Sequence, residues 1–229
     1  MTTNLSRRLP ALLLLLTCGL PAAAQYRIGL SGQLPIPMQE FAQVNPRIAY
    51  GIGGYALLRI GADAPLYVGI DINYSLYGSS TTDLGRVDFT TRAERVINNN
   101  ILMGHLMLRL QIGEEGSVQG YLDVLGGGKY LYTRSKINVI DINTGNVVNT
   151  TNTRTEFWDM AWSYGGAAGI NIRLGENILL DVRCLYLAGT TANYVRQVTR
   201  TGNGYVYDEG QSRTDMLVPQ VGIVFKIDK

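Results

Sequence analysis

Apolar and polar residues alternate along this chain with a period of two, and the clearest stretch is Leu66–Tyr77. Leu66, Val68, Ile70, Ile72, Tyr74 and Leu76 form one set, and Tyr67, Gly69, Asp71, Asn73, Ser75 and Tyr77 the other. An extended strand sends alternate side chains to opposite faces, so this segment has one greasy wall and one wet wall. The same period predicts eight strands, at Gln25–Leu34, Arg47–Ile60, Leu66–Tyr77, Asn99–Ile112, Ser117–Thr133, Ala161–Leu174, Ile178–Gly189 and Asp215–Ile227. No convincing helical period is visible beyond residue 24.

The connections alternate in length. Gly61–Pro65, Gly113–Gly116 and Gly175–Asn177 are tight, whereas Pro35–Pro46, Gly78–Arg95, Arg134–Asp159 and Thr190–Thr214 are long and polar. Asn138–Asn149 and Tyr194–Tyr207 alternate around the turn sequences Asn143-Thr144-Gly145-Asn146 and Thr201-Gly202-Asn203-Gly204, which predicts that two of these loops continue as hairpins. In the last strand, Pro219 lacks a ladder donor, so a bulge or a strand starting beyond it is expected.

The N-terminus reads as a targeting segment. Arg7 and Arg8 precede the short apolar run Leu12 to Leu16, and Ala22-Ala23-Ala24 offers a cleavage site, placing a signal peptide at 1–24 and one β domain at 25–229. A lipoprotein box ending at Cys18 is the rival, but Thr17 is a poor residue before the cysteine. Beyond residue 24, 18 basic residues face 18 acidic ones, so no basic excess points to nucleic acid. Cys184 is then the only thiol, which excludes an internal disulfide from an exported chain. No later stretch reaches the ~18 apolar residues a membrane helix needs.

Exported, all-β and patterned with short and long connections, the chain reads as an eight-stranded antiparallel up-and-down transmembrane barrel. A secreted lipocalin would place the greasy set in the lumen instead. Residue types favour the membrane. Tyr74, Tyr130, Tyr132, Trp162, Tyr164 and Tyr186 gather toward the long-loop end of the greasy set, with Tyr26 and Phe225 at the other end, as two interfacial girdles require. An even strand number places both termini on the periplasmic, short-turn side. Segments such as Tyr55-Ala56-Leu57-Leu58-Arg59 and Val68-Gly69-Ile70-Asp71-Ile72-Asn73-Tyr74 resemble the OmpA/OmpX-like eight-stranded outer-membrane barrels and the outer-membrane β-barrel domain group around them. That resemblance covers Gln25–Lys229 and lies in pattern. It implies outer-membrane residence, with lipid around the barrel. The chain departs from such barrels at its end, where Lys226-Ile227-Asp228-Lys229 follows Phe225 in place of a terminal aromatic.

Candidate chemistry is sparse. Arg27, Arg59, Asp71, Arg109, Asp123, Lys129, Arg173, Asp181, Arg183 and Lys226 fall on the inward set, either as a plug of paired charges or as the lining of a narrow porin-like channel. A lumen of eight strands is just filled by side chains, which favours the plug. His105 is the only histidine, and as the base of an envelope enzyme it would need a serine or acid within reach at the rim; no serine is adjacent in sequence. With one histidine and one cysteine on opposite sets, no metal site is expected. Gly126-Gly127-Gly128-Lys129 lacks the further glycine, the Ser/Thr and the helix of a phosphate loop, so it reads as a strand kink near the rim. Asn149-Thr150-Thr151 is a chance sequon. The expectation is therefore a barrel without catalytic residue, metal or cofactor. It would stabilise the envelope or bind an extracellular ligand or an envelope protein through Gly78–Arg95, Arg134–Asp159 and Thr190–Thr214.

Overall fold

The structure, a computed structural model, describes residues 25–60, 64–113, 117–201 and 204–227. The expected signal peptide with Cys18, parts of two tight turns, the Gly202-Asn203 turn centre and the final two residues lie outside them. Among the described residues there are eleven strands and one short helix: β1 (Tyr26–Gln33), β2 (Ile36–Pro37), α1 (Gln39–Val44), β3 (Tyr50–Arg59), β4 (Leu66–Arg86), β5 (Thr91–Ile112), β6 (Val118–Asp141), β7 (Val147–Arg173), β8 (Ile178–Gly189), β9 (Thr191–Thr201), β10 (Gly204–Arg213) and β11 (Met216–Ile227).

Eight of these strands close a ring in the order β1-β3-β4-β5-β6-β7-β8-β11, with β11 returning to β1. Every pairing is antiparallel, and the seam runs in unbroken register from Tyr26↔Ile227 to Gln33↔Gln220. The fold is thus the eight-stranded antiparallel barrel of outer-membrane proteins. Its outer face carries Leu30, Ile52, Ile72, Leu106, Val124 and Val221, all exposed. An apolar outer wall of this kind is stable in hydrocarbon and is the reverse of a lipocalin. Aromatic residues edge the band near the long connections, where Trp162 is 76% exposed and Tyr130 stacks on Tyr132, centroids 5.2 Å apart, and meets Trp158 at a tilt, 6.0 Å away. Cys184 also points outward.

Three sequence expectations change. Gly78–Arg95 and Arg134–Asp159 are not loops but the upper halves of strands, so β4 to β7 continue as a four-stranded blade beyond the barrel. A strand crosses a bilayer in roughly 9–11 residues, whereas β7 has 27. The anticipated β6–β7 hairpin forms, with Gly145 at φ +69° where its turn needs a left-handed residue. The β9–β10 hairpin also forms. Second, Pro35–Pro46 contains helix α1, which has no amphipathic length that a periodicity reading can detect. Third, Pro219 produces neither bulge nor late start: β11 passes through it in register with Cys184. Its carbonyl accepts Leu34 N–H at 3.1 Å, on the β1 side. Both main-chain groups of an antiparallel residue face the same neighbour, so the missing donor points where β1 ends and the β8 ladder loses nothing.

Candidate functional site: a filled lumen beneath a four-stranded blade

Successive side chains fill the barrel from its short-turn end upward. At the lowest level Arg27 donates to Gln111 at 2.9 Å and lies over the Tyr67 ring at 4.6 Å. Above it Arg109 makes a bidentate pair with Asp123, at 2.7 and 2.8 Å, while its guanidinium stacks 3.5 Å from the Tyr121 ring centroid. Tyr55 and Tyr121 both donate to Asp181, the former at 3.0 Å. The next level crosses the full diameter. Arg183 on β8 pairs with Asp71 on β4, the strand facing it across the ring, and donates to Gln220 at 2.6 Å. Gln220 in turn donates to Gln33 at 2.7 Å and Asn73 at 2.9 Å.

These groups are fully buried, and planar guanidinium–carboxylate forks satisfy several donors at once, which is what a charge taken out of water requires. Of the ten inward charges expected, Arg27, Asp71, Arg109, Asp123, Lys129, Asp181, Arg183 and Lys226 are buried. Arg59 is only half-buried, donating to Gln25 at 3.2 Å and the Ala64 carbonyl at 3.3 Å, and Arg173 is exposed at the lower rim.

His105 has a partner that linear sequence did not reveal. Its Nε2 lies 2.9 Å from Ser163 Oγ, and its Nδ1 lies 3.9 Å from Asp71. The register places Asp71, His105, Gly127 and Ser163 on one row around the wall. The imidazole reaches β7 across Gly127, where a Cβ would come within 2.0 Å of the Gly104 carbonyl oxygen. The triple glycine is therefore not a rim kink, since it lies level with Asp71 inside an unbroken β6. The order acid, imidazole, hydroxyl matches a hydrolytic triad, but the ring is buried and its acid stands beyond hydrogen-bond reach. As it stands, the row braces β4, β5 and β7 against one another. Lys129, the last residue of the same motif, donates to the carbonyl oxygens of Leu187, at 3.1 Å, and Thr214.

Toward the long connections the lumen turns apolar. Ile101, Met103, Leu131, Leu185, Leu187 and Val218 are completely buried there. The sequence carried that signal in Ile101–Met103, three consecutive apolar residues that put hydrocarbon on both alternating sets, before His105 and Arg109 return the inward set to polar. Helix α1 closes this end. Phe41 meets Tyr194 edge-on at 5.2 Å and Tyr77 at 6.3 Å. Main-chain bonds Met38 N to Asp215 O, 2.9 Å, and Ala49 N to Pro35 O, 2.9 Å, pin the segment over the mouth.

The blade beyond is tied by polar cross-strand contacts. Arg95 pairs with Glu156 at 2.9 Å, Ser135 donates to Glu156 at 2.6 Å, and Thr133 donates to Asn99 at 2.8 Å. At its tips the Asp88 carboxylate accepts Thr90 and Thr91 N–H, each 2.8 Å, and that of Asp141 accepts Asn143 and Thr144 N–H at 2.8 and 2.9 Å. These bonds hold both carboxyls below their ordinary pKa, chiefly through the Thr90 N–H for Asp88 and the Thr144 N–H for Asp141. Between the capped turns Val87, Val147 and Val148 are exposed, and Phe89 is 97% exposed. Among the described residues no three His, Cys, Asp or Glu side chains cluster as metal ligands do.

No protein family and no curated protein matches the sequence. Solved structures with similar folds include the outer membrane protein OprG from Pseudomonas aeruginosa, with TM-score 0.49, 13% identity, and 90% of this chain and 97% of that one covered. Neisserial surface protein A is similar at TM-score 0.45 and 9% identity over 90% of this chain and 100% of the other. A major outer membrane protein from Thermus thermophilus is similar at TM-score 0.42 and 10% identity, again over 90% and 100%.

Proposed function

We propose that this chain is a non-conducting outer-membrane anchor that presents the β4–β7 blade, together with the β9–β10 hairpin, as an extracellular binding surface. Residues 1–24 serve as its export signal, the tight turns face the periplasm with both termini, and the blade faces out. The observation that carries the reading is the contrast between the two halves of the long strands. Their lower halves enclose a lumen bridged by Arg183–Asp71 and Arg109–Asp123 and roofed by Phe41. Their upper halves form a braced sheet with an exposed apolar tip at Val87, Phe89 and Val148. A monomer in water does not usually leave such a tip uncovered without a use for it. His105 serves as a brace in this reading, not as a general base.

Two measurements test the proposal. Reconstituted in a planar bilayer, the protein is expected to give no stepwise conductance, and reproducible steps would instead support the narrow-channel reading. On intact bacteria, a photo-crosslinking residue at position 89 should form adducts that one at Leu106, on the lipid wall, does not; equal behaviour at both positions rules out the blade as the contact surface. Protease added to the same cells should cut between Ile142 and Val147, and cleavage confined to the tight turns would invert the topology.

A further inference from the structure

The outer wall of the barrel is not uniformly ridged. Along β3 the outward positions Gly54 and Ala56 are nearly bare, while Leu30 and Ile28 rise from β1 on one side and Ile72 and Ile70 from β4 on the other. The result is an apolar trench of 430 Å³ on the lipid-facing surface, within the size range of small-molecule sites. Ile52 and Tyr74 line its upper end, and one outward pair further along the same two strands a second cavity of 150 Å³ is lined by Arg47, Tyr50, Leu76 and Ser79. Arg47 is exposed, and Ser79 donates its proton to Asn98 at 2.9 Å, so the guanidinium is the donor on which an anion would rest.

We infer that trench and upper cavity together bind one anionic lipid, its acyl chain along β3 and its phosphate beside Arg47. Three observations select that occupant. The first is length. Ala56 to Tyr50 spans six residues, about 20 Å of strand, or about 15 Å along the membrane normal at the usual tilt, which is half of a ~30 Å hydrocarbon core. The second is width. The walls belong to strands on either side of β3, about 10 Å apart at the backbone and less between side chains. That admits a hydrocarbon chain but not a helix, which needs roughly 10–12 Å with its side chains. A flat barrel wall from a second copy cannot enter it either. The third is polarity: the cation stands at the end of the trench nearest the blade, where the hydrocarbon gives way to headgroups. The inference rests on the barrel standing in a bilayer and not on which side the blade faces.

Native mass spectrometry of the full, detergent-purified protein tests it, with phosphatidylglycerol and phosphatidylcholine of identical chains as probes. The wild type should retain a single phosphatidylglycerol, about fivefold better than phosphatidylcholine, the size expected of one exposed ion pair. Arg47→Gln should bring the two lipids level. Ala56→Leu fills the trench floor and should abolish retention of both. Ala168→Leu, an equivalent change on the outer face of β7, should have no effect. If Ala56→Leu fails to fold, Gly54→Ala supplies a smaller filling. Its Cβ would meet the Gly29 carbonyl and the Leu30 side chain at 3.1 and 3.2 Å and should still lower retention. Several lipid adducts without headgroup preference, or trench variants that retain lipid like the wild type, overturn the proposal.

Discussion

Arg109 shows how individual side chains decide the state of the lumen. It is fully buried, forked onto Asp123 and sandwiched by the rings of Tyr55 and Tyr121. Arg109→Met alone leaves Asp123 with Arg183, 3.7 Å away, as its remaining cation, and a broken buried pair costs about 3–5 kcal/mol. Arg109→Met combined with Asp123→Leu should recover most of that loss, as read from urea unfolding in lipid vesicles; a double variant no more stable than the single one refutes the account. The capped turns respond to acid instead. Asp88 and Asp141 have folded pKa values below their unfolded ones, so their contribution is complete above the ordinary carboxylate range and is lost as pH falls through the lowered values. Protease sensitivity at Ile142–Val147 should therefore be flat from neutral to mildly acidic pH and rise only at the acid extreme, which an acid-stable protease can report. The chance that Ser163 would meet His105 was not legible in sequence. It depends on Gly127 having no side chain between them, a property of the register and not of the spacing along the chain.

At the scale of elements, the period-two pattern predicted which face of each barrel strand meets lipid, because lipid selects side chains strictly by face. It failed at strand ends. The blade lies in water, where neither face is forced to be apolar, so Thr- and Asn-rich stretches such as Val147–Thr155 read as loop although they pair. The lipid face gives one prediction: Ile70→Arg, at the level of the buried Asp71, should cost about 2–4 kcal/mol or block insertion. From sequence alone Asn73→Arg would be the milder change. That rests on luminal contacts that can adapt, and the structure leaves no room for it, since Asn73 is sealed against Gln220 and Gly53. Both variants should fail a membrane-folding assay, and a well-tolerated Asn73→Arg contradicts a filled lumen. Helix α1 gives the other. Phe41→Ala removes a fully buried ring from the mouth and should lower stability by about 3–5 kcal/mol. Conductance should stay absent, because the charged levels below remain closed.

The whole molecule combines a sheet that closes on itself with one that does not. Below, the ring leaves no free ladder. Above, the blade has two margins, β4 beyond Leu76, where β3 stops, and β7 before Ser163, where β8 stops and Thr190 and Asn193 bond Trp162 and Asp159 in its place. The bulges between Thr133 and Arg134, Ser135 and Ile137, and Val139 and Ile140 twist β7 locally, a common way of discouraging strand addition from another chain. The ring has a further consequence, in time and not in space. Its seam joins Tyr26 to Ile227, so the first strand of the barrel finds its second neighbour only after the last has been made. Every intermediate on the ribosome or in transit has two hungry edges and an unshielded greasy wall. Both edges and that wall stay open until the twelve residues of β11 latch the ring shut.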